Sequence, residues 1–207
     1  TQDNQLAVGK ITSSPISQGT LQVYRGRIKK VNKGESFQVE TFSLLQDPLW
    51  YYHPTPQTFT IDLNTKFYNS KEGLIANGIN SFVAYGSDTS VGDVYTVIAE
   101  GDRAYAIVDM PYVTQSTKGE IYAVNEDSIQ IKDVYYYDTT KSKWNQYSQK
   151  NVGATIKLGV NTMILKNGKV IPSSRLEAGD TVSAMVDANL KTENGTVTGY
   201  SIFIIGE

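Results

Sequence analysis

Gly26-Arg27-Ile28-Lys29-Lys30-Val31-Asn32 returns as Gly119-Glu120-Ile121-Tyr122-Ala123-Val124-Asn125, a shared Gly-x-Ile-x-x-Val-Asn at an offset of 93 residues. Further matches keep the same order. Ile61-Asp62-Leu63 pairs with Ile156-Lys157-Leu158, Asn64-Thr65 with Asn161-Thr162, Gly73 with Gly168, and Gly92-Asp93 with Gly179-Asp180. The offset drifts between 87 and 97, as small changes in loop length produce, because lengthening a loop costs little free energy. Shared β-strand vocabulary, in which Ile, Val and Gly-Asp turns recur anyway, is the competing explanation. The conserved order favours a folding unit used twice.

Around these matches, apolar and polar residues alternate with the period of half-buried strands. Phe37 and Val39 flank Gln38; Phe59 and Ile61 flank Thr60; Ile129 and Ile131 flank Gln130; Val182, Ala184 and Val186 alternate with Ser183 and Met185. Turn signals separate the strands, including Asn32-Lys33-Gly34, Gly86-Ser87-Asp88, Gly101-Asp102, Asn167-Gly168 and Asn194-Gly195. Only Lys71–Asn77 and Ser173–Ala178 read as a helical turn or two. Gly26 and Gly119 fall where a strand bends sharply, and the Ile-x-x-Val spacing breaks strict alternation beside them, which predicts a bulge or strand end in both copies.

The expected fold is all-β: two tandem small antiparallel β-barrels, OB-like or SH3-like, of about 90 residues each, since closure removes exposed sheet edges. Residues 1–25 form an N-terminal strand or linker, with Leu6–Ile11 as the strand candidate; 26–110 form the first barrel and 111–207 the second. The connection through Met110, Pro111, Tyr112 and Val113 is too short for independent swinging, so the barrels are expected to touch.

The chain of 207 residues carries no cysteine, one histidine and a net charge of −2. Each copy is large enough to bury a core without metal or disulfide. Thiolate chemistry is excluded, and no run of apolar residues is long enough for a membrane span. A sequence opening at Thr1 with Gln2, Asp3 and Asn4 suits a segment left by signal cleavage or a linker from an upstream domain.

Catalytic motifs are sparse. His53, in Trp50-Tyr51-Tyr52-His53-Pro54, has no nucleophile or orienting carboxylate signature beside it. Asp62, Asp93, Asp102, Glu120, Asp127 and Asp180 fall at strand or turn positions where carboxylates usually shape turns. The expectation is therefore no enzyme, no cofactor and no metal site. The aromatic excursions are more suggestive. Trp50, Tyr51 and Tyr52 in the first copy, and Tyr136, Trp144 and Tyr147 in the second, offer flat faces for sugar rings or extended peptides, or else fill a barrel end or the contact between copies. Arg25, Arg27 and Lys29 alternate along one strand and make a candidate polyanion stripe. Glu120 and Tyr122 interrupt the corresponding stripe of the second copy, and a net acidic chain argues against a nucleic-acid partner.

The Gly-x-Ile-x-x-Val-Asn signature, the strand opening on Asn-Thr, and Leu176-Glu177-Ala178-Gly179-Asp180-Thr181-Val182 together resemble small β-barrel repeats of secreted, cell-wall or S-layer-associated bacterial proteins. The first copy departs from that pattern at Ser90-Val91-Gly92-Asp93. The resemblance implies a non-catalytic, extracellular or cell-wall-associated structural or adhesive module whose partner is a cell-wall polymer or a surface protein. A carbohydrate-binding module that stacks glycans on the aromatic excursions is the alternative.

Overall fold

The structure is a computed structural model describing residues 20–32, 34–69, 73–77, 92–147 and 153–205. The Leu6–Ile11 candidate and the Gly86-Ser87-Asp88 turn lie outside the described residues.

The protein is all-β. Fifteen strands fill the described chain, with a single 3-10 turn at Ser173–Arg175. The first sheet holds β1 (Gln22–Asn32), β2 (Ser36–Gln46), β3 (Leu49–His53), β4 (Gln57–Thr60), β5 (Lys66–Asn69), β6 (Gly73–Asn77), β7 (Val94–Glu100) and β8 (Arg103–Val108). The second holds β9 (Gln115–Val124), β10 (Ser128–Asp138), β11 (Lys143–Gln146), β12 (Ala154–Lys166), β13 (Lys169–Ile171), β14 (Thr181–Val186) and β15 (Thr196–Ile205). β1 begins ahead of the expected boundary at residue 26, and β9 begins after 111. The segment expected to be helical at Lys71–Asn77 contributes β6 instead, because Gly73–Asn77 pairs with β5 and the sheet overrides local preference.

In the first sheet β1, β2, β4, β8 and β7 close into a five-stranded barrel, with β3 extending β2 and the β5–β6 hairpin extending β8. The second sheet runs β11-β10-β9-β14-β15-β12-β13 and is joined across by β10–β12. Strand for strand, this is the order of the first sheet. The long β12 does the work of both β4 and β5, with a register shift between Leu158 and Met163 where the first half breaks its strand.

Hydrogen bonds repeat with the strands. The Ile28 amide donates to the Asp93 carbonyl and the Gly92 amide to the Ile28 carbonyl; Ile121, Asp180 and Gly179 make the same two bonds, all four at 2.8 Å. Gly92 and Gly179 hold φ of 98° and 99°, a left-handed conformation that glycine adopts without steric cost. Two of the sequence matches shift by a residue or two. The β2–β4 and β10–β12 registers place Phe59, not Ile61, opposite the role of Ile156, and the β5–β6 and β12–β13 registers align Gly73 with Lys169 rather than Gly168. At Gly26 and Gly119 the partner strand's backbone comes close: a Cβ on Gly26 would meet the Thr41 carbonyl at 2.8 Å, and one on Gly119 the Lys132 carbonyl at 2.7 Å. Register shifts flank both sites.

Each half has its own apolar core. Phe37, Val39, Phe59 and Ile107 anchor the first, and Ile121, Ile129, Ile131 and Ile202 the second. A third cluster belongs to both halves. It includes four structurally equivalent pairs: Tyr68 and Leu165, Ile98 and Met185, Tyr105 and Tyr200, Val108 and Phe203. The halves therefore meet through the same face of each. The linker residues Met110 and Val113 are buried in this cluster as well.

Leu165→Ala should lower the unfolding free energy by about 2–5 kcal/mol, the usual cost of a truncated core leucine. Because the cluster is shared, scanning calorimetry should show a single transition for the whole chain; two separated transitions would show that the halves hold independently. Gly119→Ala, which sets a methyl against backbone rather than a movable side chain, should cost about 1–3 kcal/mol, read as a lower denaturation midpoint.

Candidate binding surfaces

The aromatic excursions are hairpin extensions, β2–β3 and β10–β11. Register places the two tryptophans in one structural position, since Trp50 faces Leu45 across β3–β2 as Trp144 faces Tyr137 across β11–β10. Both are engaged within the chain. Trp50 packs into the shared cluster, donates its indole N–H to the Val113 carbonyl at 2.9 Å and leans on Tyr112. Trp144 meets the edge of Tyr137 with ring centroids 5.3 Å apart, and the Lys118 ammonium sits 4.5 Å from its centroid. Tyr136 carries the Lys191 ammonium, whose pKa is raised by its hydrogen bond to that phenol. Tyr147 packs against the second core.

Tyr51 and Tyr52 differ from these. They are 47% and 65% exposed on β3, and their counterparts by register are Asn145 and Gln146. Exposed aromatic surface on this hairpin thus belongs to the first half alone. Beside it His53 stacks on Phe42, centroids 4.6 Å apart and planes 9° from parallel, with Nε2 buried and without a hydrogen-bond partner.

The basic stripe is engaged within the chain. Arg25 donates to Thr96 Oγ1 at 3.0 Å and to the Met110 carbonyl at 2.8 Å, with its guanidinium 5.4 Å from the Tyr112 centroid. Arg27 donates to the Gly92 carbonyl, and Lys29 lies 3.7 Å from Glu40. Lys118 occupies in β9 the position of Arg25 in β1 and likewise lies over aromatic rings. The first member of the stripe is therefore part of the repeat after all: a cation set against an aromatic ring beside the hairpin tryptophan.

Three of the candidate carboxylates sit in ion pairs. Asp62 takes the Arg103 Nε at 2.6 Å and the Asn64 amide at 2.7 Å. Burial pushes the Asp62 carboxyl up, but the Asn64 amide and Arg103 together hold it below the usual value. Asp180 accepts Lys166 Nζ at 2.9 Å and the Glu177 amide at 3.1 Å, and Glu120 pairs with Lys132 at 2.8 Å. Asp127 accepts a hydrogen bond from the neighbouring Ser128 hydroxyl. Among the described residues no group of three or more metal-ligating side chains converges, and no helix is long and apolar enough to cross a membrane.

One polar contact had no signal in the sequence. Asp47, at the tip of the β2–β3 hairpin, crosses to the second half and accepts the Ser183 hydroxyl at 2.6 Å and the Ser116 hydroxyl at 3.5 Å. Both serines are buried. Much of Asp47 stays in solvent, yet its carboxylate is crowded by the neighbouring sheet. That burial pushes its pKa above the usual aspartate value, against the pull of Ser183, Ser116 and Lys118. Asn161 Nδ2 to the Asp109 carbonyl, 3.2 Å, and the Leu21 amide to the Gly168 carbonyl, 3.2 Å, are further polar pins at the junction, beside the Trp50 indole bond to Val113.

No protein-family model matches the chain, and no curated protein matches it.

A carboxyl whose pKa is higher in the folded state binds its proton more tightly there, so stability falls as pH rises from the ordinary aspartate range through the raised value. Asp47→Asn keeps an acceptor for both serines and removes that fall. Its melting temperature should equal or exceed the parent's at pH 7, and the difference should vanish at acid pH below the ordinary aspartate range. A clearly lower melting temperature at pH 7 would show that the charged carboxylate is net favourable.

Proposed function

We propose that the chain is a tandem pair of small barrels of about 90 residues each, OB-like or SH3-like, serving as a non-catalytic structural or adhesive module of a bacterial cell-surface protein. The observation that carries this reading is the shared apolar cluster with its polar pins. Two halves sharing a common core, with Met110 and Val113 of the linker buried in it, make one stiff body, which suits a spacer that holds a contact surface away from a wall. The groups with chemical potential are spent on architecture: the cations on rings and carbonyls, and three of the carboxylates on ion pairs.

A carbohydrate-binding role is the second reading, favoured by the exposure of Tyr51 and Tyr52. Trp50 and Trp144 support it less, because one lies in the shared cluster and the other carries Lys118 over its ring. Glycan stacking, if this module uses it, belongs to β3.

Co-sedimentation with isolated bacterial cell walls tests both. The adhesive reading expects the intact chain to pellet with walls. Under the carbohydrate reading, Tyr51→Ala combined with Tyr52→Ala should weaken retention about thirtyfold, since each lost stacking contact is worth on the order of 1 kcal/mol. Retention by walls stripped of polysaccharide, unchanged by the double substitution, would remove the carbohydrate reading; absence of retention would leave the spacer role alone. Hydrolysis of wall polymer by the chain would contradict both.

A further inference from the structure

Tyr51 and Tyr52 point to opposite sides of β3, as neighbours on a strand do, and the ladders say which sides these are. Tyr51 stands in a row with Leu44 and the buried Tyr24, on the face of the first core. Tyr52 stands in a row with Ser43, Arg25 and Thr96, on the face it shares with Trp50, two residues back along the strand.

That second face carries another exposed ring. Tyr112, in the linker, is 56% exposed, with its ring 6.1 Å from that of Trp50 and 5.4 Å from the Arg25 guanidinium. Tyr52 lies about 7 Å from Trp50 along β3, and two strand spacings set it about 10 Å from Arg25. The two exposed tyrosines therefore border a short strip floored by Ser43 and Trp50, a span that a short oligosaccharide bridges. The equivalent row of the second half is built differently. It reads Gln146, Tyr135 and Lys118, with the ring on the middle strand under the lysine.

We propose that this strip is a subsite for a neutral glycan chain, with one sugar ring on Tyr52 and another on Tyr112. The proposal rests on the carbohydrate reading and narrows it, from β3 as a whole to one of its faces together with the linker. Three observations choose the ligand. Among the described residues the hydroxyls of Tyr52, Ser43 and Tyr112 have no hydrogen-bond partner, and a hydroxyl both donates and accepts, which matches the hydroxyls of a sugar. A Pro-rich peptide, the other ligand that aromatic-lined surfaces take, offers carbonyls. The donors those carbonyls need are spent, Trp50 Nε1 on the Val113 carbonyl and Arg25 on Thr96 and the Met110 carbonyl. Arg25 is the only charged residue in its row, and the nearby Asp109 carboxylate opposes it, which favours a neutral chain over an acidic one.

The test titrates the intact chain with chitotetraose, with tetragalacturonate as the charged counterpart and decaproline as the peptide counterpart, following the backbone amides of Ser43, Tyr52 and Val113 by NMR. Chitotetraose should shift these amides with a Kd of about 1 mM or below, binding more tightly than either counterpart. Tyr52→Ala and Tyr112→Ala should each weaken it about fivefold, the value of one lost ring contact. Phenylalanine at either position should restore most of the affinity, and Tyr51→Ala should leave it unchanged. Weakening by Tyr51→Ala with none from Tyr52→Ala or Tyr112→Ala would overturn the subsite and keep the carbohydrate reading on the other face of β3. Tighter binding of tetragalacturonate or decaproline would overturn the neutral-glycan assignment. Unshifted amides with both sugars at about 10 mM would overturn the subsite and the carbohydrate reading together.

Discussion

β7 and β14 are buried on both faces, and the rest of the structure is arranged around that fact. In a small barrel standing alone, one face of every strand packs inward and the other meets water. Here Val97 and Ala99 point to the first core while Ile98 joins the shared cluster and the buried Thr96 takes Arg25, and Val182, Ala184 and Val186 point to the second core while Met185 joins the shared cluster and Ser183 reaches Asp47 of the first half. Apolar burial supplies the attraction without fixing a register. Direction comes from the polar pins, each satisfying a group that burial would otherwise leave unpaired: Ser183 through Asp47, Asn161 through the Asp109 carbonyl, the Trp50 indole through the Val113 carbonyl.

That second face explains which parts of the molecule were legible in the sequence. The alternation of Phe37 with Val39, and of Ile129 with Ile131, reports inward-facing residues directly, and all four are buried. The glycines and the irregularity beside them were legible because a Cβ at Gly26 or Gly119 has nowhere to go and the ladder shifts register there. Alternation says which residues share a face but not whether the other face meets a partner, so Ser183 and Met185 read as solvated positions. Asp47 was invisible for a related reason. Its partners lie about 70 and 136 positions away in the chain, and a short-range pattern carries no such information. The slips at Ile61 and Gly73 came from aligning identical letters where ladder register is the physical constraint.

The copies have diverged where their surroundings differ. The cation on the first strand is retained as Arg25 and Lys118 because each half needs it against a ring. The bend at Asn64 and Asn161 keeps the hydroxyl bonds of Thr65 and Thr162, but beside it the first half has Lys66 and Arg103 where the second has Met163 and Thr198. Tyr51 and Tyr52 stand where the second half has Asn145 and Gln146.

Like faces meeting like also limits how the molecule can grow. When equivalent surfaces pair, each surface is used once and the arrangement closes, as in an isologous dimer, whereas head-to-tail contacts leave a free end for the next member. The shared cluster of Ile98 with Met185 and Val108 with Phe203 is of the closed kind. A third copy of this fold would find no vacant partner for that face, so filaments or longer arrays built from this protein require contacts other than the one that joins its halves.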